Sequence, residues 1–76
     1  MKKIDNSECL ISFGEYIKSA RELKGYTQQE MAESLEIRQS YYSMIENGQK
    51  NIPLVLALKI CSELKINMND FMKHYI

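Results

Sequence analysis

Few side chains in this chain of 76 residues are of a type that makes or breaks bonds. Catalysis needs titratable groups that converge. The one histidine, His74, stands near the C-terminus with no motif around it. Cys9 and Cys61 have neither the close spacing of a metal knuckle nor enough company for a disulfide framework. Cys61 falls at helical spacing among Leu54, Leu58 and Leu64, which reads as a small buried apolar residue rather than a redox group. Cys9 is less constrained. The sequence therefore predicts free thiols, no metal, no cofactor and no enzyme. What remains is hydrogen-bonding chemistry, centred on a short segment from Gln39 to Asn47 that is polar on one side.

The elements that position this segment follow from periodicity and caps. A composition of 45% hydrophobic residues suits one small compact domain, and ten basic against ten acidic residues leave a formal net charge of zero. No run approaches the roughly 18 apolar residues that a membrane span needs, and no apolar N-terminal run precedes a cleavage site, so a soluble cytoplasmic protein is expected. Residues 1–11 show no sustained period and read as a flexible N-terminal arm. Phe13, Ile17, Ala20, Arg21 and Leu23 then recur at spacings of three and four until Gly25, predicting a first helix over 13–24. Thr27 and Glu30 form a capping box, with Tyr26 and Met31 placed as its hydrophobic staple, so a second helix begins at Gln28. A break at Glu36 marks a tight turn. A third helix runs over 39–47 and stops at Asn47-Gly48, and Pro53 opens a fourth over 53–64. Asn67 caps a fifth, with Asp70 in its first turn. The expected fold is all-α, a compact bundle of five short helices without strands.

Two short helices joined by a tight turn, the second with a polar outer face, have the geometry that places a helix in the DNA major groove. The run Thr27-Gln28-Gln29-Glu30-Met31-Ala32, followed by Leu35, Ile37, Ser43, Ile45 and Glu46-Asn47-Gly48, resembles the lambda-repressor-like helix-turn-helix family of the Cro/C1 (XRE) type. The resemblance covers about residues 13–73 and implies a sequence-specific transcriptional regulator, a repressor on double-stranded DNA. It implies that Gln28 holds a phosphate and that Gln39, Ser40 and Tyr41, with Ser43 and Met44 one turn on, meet base edges and flanking phosphates. Gln39 is the foremost base reader, because a carboxamide donates and accepts at once and so pairs with adenine N6 and N7. Asn47 matches a residue that bonds the sugar-phosphate backbone, with Gly48 allowing close approach, although Asn47 also suits a plain helix C-cap. Lys50 is a further candidate for DNA contact. Arg21 and Glu46 match a structural ion pair between the first and third helices.

The chain departs from the family pattern at three positions. Glu36 stands where glycine is common, which predicts a strained or reshaped turn. Arg38 replaces the usual serine or threonine cap and supplies a cation beside DNA, a phosphate contact or a solvated charge. Met44 replaces a polar side chain and suits either a thymine methyl group or a neutral surface. On the fourth helix Val55 and Leu56 extend the expected core set of Leu54, Leu58, Cys61 and Leu64. With Phe71, Met72, Tyr75 and Ile76 they predict a C-terminal dimerisation surface within a domain spanning 12–76, hence a homodimer on an inverted-repeat operator. No separate effector domain is expected after the fifth helix, which points to control by concentration, by a partner or by the operator's arrangement. The zero net charge supports one alternative, the same fold acting as a protein-interaction module such as an antitoxin or adaptor.

Overall fold

The computed structural model describes residues 4–75. Five helices follow in order: α1 (Asn6–Leu23), α2 (Gln28–Leu35), α3 (Gln39–Glu46), α4 (Leu54–Leu64) and α5 (Met68–Tyr75). α1 begins earlier than its periodicity suggests. The Asp5 side chain accepts a hydrogen bond from the Glu8 amide at 3.0 Å, a side-chain N-cap, so residues 6–11 are helix rather than flexible arm. The remainder of that expected arm, residues 1–3, lies outside the described residues, as does Ile76. Gly14, in mid-helix, marks the crossing of α1 over α3: a Cβ there would collide with the carbonyl oxygens of Ile45 and Glu46. Gly48 (φ +72°) serves a similar packing, since a Cβ on it would lie 2.7 Å from the Ile11 Cα. The space it leaves is filled by α1 rather than kept open for a ligand backbone.

The capping box of α2 is complete, with Thr27 Oγ1 accepting from the Glu30 amide at 3.0 Å and Glu30 Oε1 accepting from the Thr27 amide at 2.8 Å. α2 ends at Glu36, which holds φ 59° and ψ 41° in the left-handed region, while the Ile37 amide reaches back to the Ala32 carbonyl at 3.0 Å. A side chain at such a backbone is strained. Glu36→Gly is therefore expected to raise unfolding stability by about 0.5 to 1 kcal/mol, the relief exceeding the extra chain entropy of glycine. Denaturant unfolding measures it, and a loss of stability would show that the Glu36 side chain makes a compensating contact.

Pro53 is the N-cap of α4, which starts one residue later than expected, and the Asn67 side chain caps α5 by accepting from the Asp70 amide at 2.8 Å. The core joins Phe13 and Ile17 of α1, Met31, Ala32 and Leu35 of α2, and Tyr42 and Ile45 of α3. Ala57, Ile60, Cys61 and Leu64 of α4 and Phe71 of α5 complete it. This corrects the expected face of α4. Leu54, Val55 and Leu58 are 70%, 64% and 53% exposed, whereas Ala57 and Ile60 are buried. Both arcs share Cys61 and Leu64 and both repeat every three or four residues, so periodicity alone does not choose between them. Phe71 is corrected likewise. It packs edge-on against Phe13 (centroids 5.3 Å apart), near Tyr16 (5.5 Å) and stacked with Tyr75 (5.7 Å), and so anchors α5 to α1 inside the protomer. Leu56 and Tyr75 are half-buried against the same core. Among the described residues no helix is long and apolar enough to cross a membrane.

Candidate nucleic-acid interface

α3 turns Tyr42, Ile45 and Glu46 inward and is packed on by α1 and α2. At 3.6 residues per turn its opposite side carries Ser40, Met44 and Asn47, all exposed, with Gln39 exposed at its first turn. Ser43 and Tyr41, on the flanks of this stripe, are half-buried. Arg38 is the N-cap residue and makes no side-chain cap, which leaves its guanidinium in solvent at the start of the helix. Lys50, also exposed, follows its other end. Asn47 is the C-cap residue. The acid of α3, Glu46, is buried, so the helix's exposed surface presents no carboxylate between two flanking cations. The zero net charge therefore does not describe the exposed face of α3, which carries no acidic side chain.

A buried hydrogen-bonded network holds that face in place. Arg21 Nε donates to Glu46 Oε2 at 2.7 Å and its Nη2 to Oε1 at 3.2 Å, the bidentate bridge between α1 and α3 that the resemblance implies. The network extends further than the sequence suggests. Arg21 Nη1 donates to the Tyr26 carbonyl at 2.6 Å, fixing the α1–α2 turn, and Gln28 Nε2 donates to Glu46 Oε1 at 3.0 Å. One carboxylate therefore ties the start of α2 to the end of α3. The Gln28 amide nitrogen has two hydrogens, and the bond to Glu46 leaves the second for another acceptor. No sequence signal marks these contacts, because they join residues that only tertiary packing brings together.

Burial alone would raise the pKa of Glu46, but the hydrogen bonds from Arg21 and Gln28 outweigh it and hold the carboxyl below its ordinary value. The bond to Glu46 raises Arg21. Tyr42 is fully buried beside the pair, and its hydroxyl pKa is pushed far up, first by burial and then by the neighbouring carboxylate. The Tyr42 hydroxyl makes no hydrogen bond of normal geometry among the described residues. No group of three His, Cys, Asp or Glu among the described residues is placed to hold a metal.

Two helices fixed across a tight turn, the second with an open polar face, define a helix-turn-helix protein. A helix-turn-helix family model matches residues 17–71, and the chain belongs to the Cro/C1-type (XRE) family of DNA-binding transcriptional regulators. It is 36% identical over 56 residues to an uncharacterized HTH-type transcriptional regulator, YqaF of Bacillus subtilis, covering 74% of each chain. It is also 36% identical over 61 residues to the control protein C.MunI of a Mycoplasma species, covering 79% of this chain and 82% of that one. Among solved structures, the restriction-modification controller protein C.AhdI of Aeromonas hydrophila superposes with a TM-score of 0.74 at 32% identity, over 82% of this chain and 94% of its own. The clp gene regulator ClgR of Corynebacterium glutamicum gives 0.79 at 28% identity, over 84% and 68%.

The Arg38 position separates folding from binding. Arg38→Ser supplies the missing cap and is expected to stabilise the fold by about 0.5 to 2 kcal/mol. The same change removes the exposed cation at the start of α3, which the resemblance places beside DNA, so it should weaken binding to every duplex alike and lower the salt slope by about one. Thermal unfolding and salt-dependent binding of the one variant check both effects, and an unchanged salt slope would remove Arg38 from the phosphate contacts.

Proposed function

We propose that this chain is a sequence-specific repressor that binds an inverted-repeat operator as a homodimer. The observation that carries the reading is the exposed, acid-free stripe of α3 between Arg38 and Lys50, held by the buried Arg21–Glu46–Gln28 network. In this reading Gln39 and Ser40 meet base edges with Met44 beside them, while Tyr41 and Ser43 line the margins. Gln28, through its second amide hydrogen, Arg38, Asn47 and Lys50 hold the backbone. A helix placed by a hydrogen-bonded carboxylate keeps its register in the groove, which is what sequence reading requires.

The exposed Leu54, Val55 and Leu58 of α4, with exposed Met72 of α5, support pairing of two copies. Leu56 adds its exposed part, and Tyr75 lies on the same helix as Met72. In such a twofold dimer the two α3 helices would stand one turn of B-DNA apart, about 34 Å. The likeness to a control protein and to a restriction-modification controller protein supports a regulatory role.

Selection of bound fragments from a random duplex library tests the reading. An approximate inverted repeat is the expected product. On it, Gln39→Ala should lower affinity by about 1 to 3 kcal/mol and relax preference at one base pair per half-site. Equal weakening on all sequences would overturn base reading by Gln39.

A further inference from the structure

The segment between α3 and α4, which carries Lys50, is held by packing more than by hydrogen bonds. Its first residues still bond to α3, the Gly48 amide donating to the Ile45 carbonyl at 3.1 Å and the Gln49 amide to the Met44 carbonyl at 2.9 Å. Beyond them, Lys50, Asn51 and Ile52 make no backbone–backbone hydrogen bond among the described residues. Lys50 is exposed and has no ion-pair partner among them either. What places these residues is the start of α1. Gly48 lies directly on Ile11, since a Cβ added to it would stand 2.7 Å from the Ile11 Cα and 2.8 Å from the Ile11 Cγ1. In the same turn of α1, Cys9 and Leu10 line one apolar cleft with Asn51 and Ile52. Residues 6–16 of α1 precede the region 17–71 that the family model matches, so the α1 side of this seat lies outside the matched helix-turn-helix.

Resting on the DNA reading above, we infer that Ile11 is a positioning residue for DNA binding. It acts through Gly48, holding the segment 48–52 against α1 so that the Lys50 ammonium stays at the end of α3 beside the same duplex. A loop without this seat keeps the charge of Lys50 but not its place, and a cation that does not sit on a phosphate releases no counterion from it. Ordering such a loop on binding also costs conformational entropy, a cost the packed seat removes in advance.

The test measures binding of the intact protein to random and selected duplexes across salt concentrations. It compares wild type with Ile11→Ala, Ile11→Val, Lys50→Ala and the double variant of Ile11→Ala with Lys50→Ala. Ile11 is 47% exposed and alanine is the better helix former, so Ile11→Ala should keep the fold. Circular dichroism of the same samples gives the folded fraction to which each affinity is referred. Although it removes no charge, Ile11→Ala should lower the salt slope by about one, as Lys50→Ala does, and weaken binding to both duplexes alike. Ile11→Val retains a methyl in place of the Cγ1 that meets Gly48 and should keep the wild-type slope. In the double variant the two losses should not add, because both release the same contact. An unchanged slope in Ile11→Ala, or losses that add in the double variant, would overturn the inference while the wild-type slope still upheld the DNA reading. A wild type without salt-dependent binding would overturn the DNA reading and this inference with it, so the two failures separate at the wild-type titration.

Discussion

Glu46→Ala is expected to cost about 3 to 5 kcal/mol of folding stability, the usual penalty for stranding one partner of a buried ion pair. That is much of what holds a small domain together, so the variant should be largely unfolded at ambient temperature. The Glu46 side chain is fully buried and receives both Arg21 and Gln28, so its loss leaves a guanidinium bonded to the Tyr26 carbonyl alone and frees the start of α2. Replacing both partners by apolar residues, Arg21→Met with Glu46→Leu, should restore most of the stability, because desolvation offsets much of what the bridge contributes. The same pair sets a pH dependence. A carboxyl whose folded pKa lies below its unfolded value stabilises the fold above the ordinary carboxylate range and loses that contribution as pH falls through the folded value. Wild-type melting temperature should therefore drop on acidification below about pH 4, and less steeply in the doubly apolar variant. Urea unfolding of the three proteins, repeated across that range, checks both points. A Glu46→Ala protein as stable as wild type would show that the network is not what holds α3.

Leu58→Glu is expected to yield a folded monomer whose operator affinity is lower by a factor of about 10² to 10⁴, the range over which linked binding exceeds a single contact. Leu58 is more than half exposed, so a carboxylate there costs the protomer little, whereas twofold pairing would set like charges against each other at an apolar contact. Leu58 and Val55 are better positions for this change than Leu56, whose half-buried side chain packs on the core. Sedimentation at matched concentrations, with helical content followed by circular dichroism, separates dissociation from unfolding. A wild type that stays monomeric at high micromolar concentration without DNA would remove the preformed dimer and leave pairing to the operator.

Local chemistry was the legible part of the sequence. Thr27 and Glu30 announce α2 because a capping box closes within four residues, whereas the strained turn at Glu36 is marked only by the resemblance, whose pattern has glycine there. Contacts between helices were not legible in that way. Nothing in the sequence marks Gly14 as the place where α3 crosses α1, and Gly48 reads as room for a ligand until Ile11 is seen filling that room. The start of α1 escapes apolar periodicity because its signal is a cap alone, Asp5 standing three residues before Glu8. α4 was misoriented because its two apolar arcs are equally periodic, and the burial of Ala57 rather than Leu58 is set by packing against α1 and α2. Arg21 and Glu46 were paired only through the resemblance, since 25 positions of chain separate them.

Binding to DNA with sequence preference is most directly tested by titrating the intact protein against selected and random duplexes at several salt concentrations. Affinity for both should fall linearly with the logarithm of salt concentration, as the proposed phosphate contacts of Arg38 and Lys50 require, while the selected duplex stays about 10³-fold or more tighter. Binding that is absent on both duplexes, or equal on both at every salt concentration, would contradict the account and favour a fold that meets a protein partner instead.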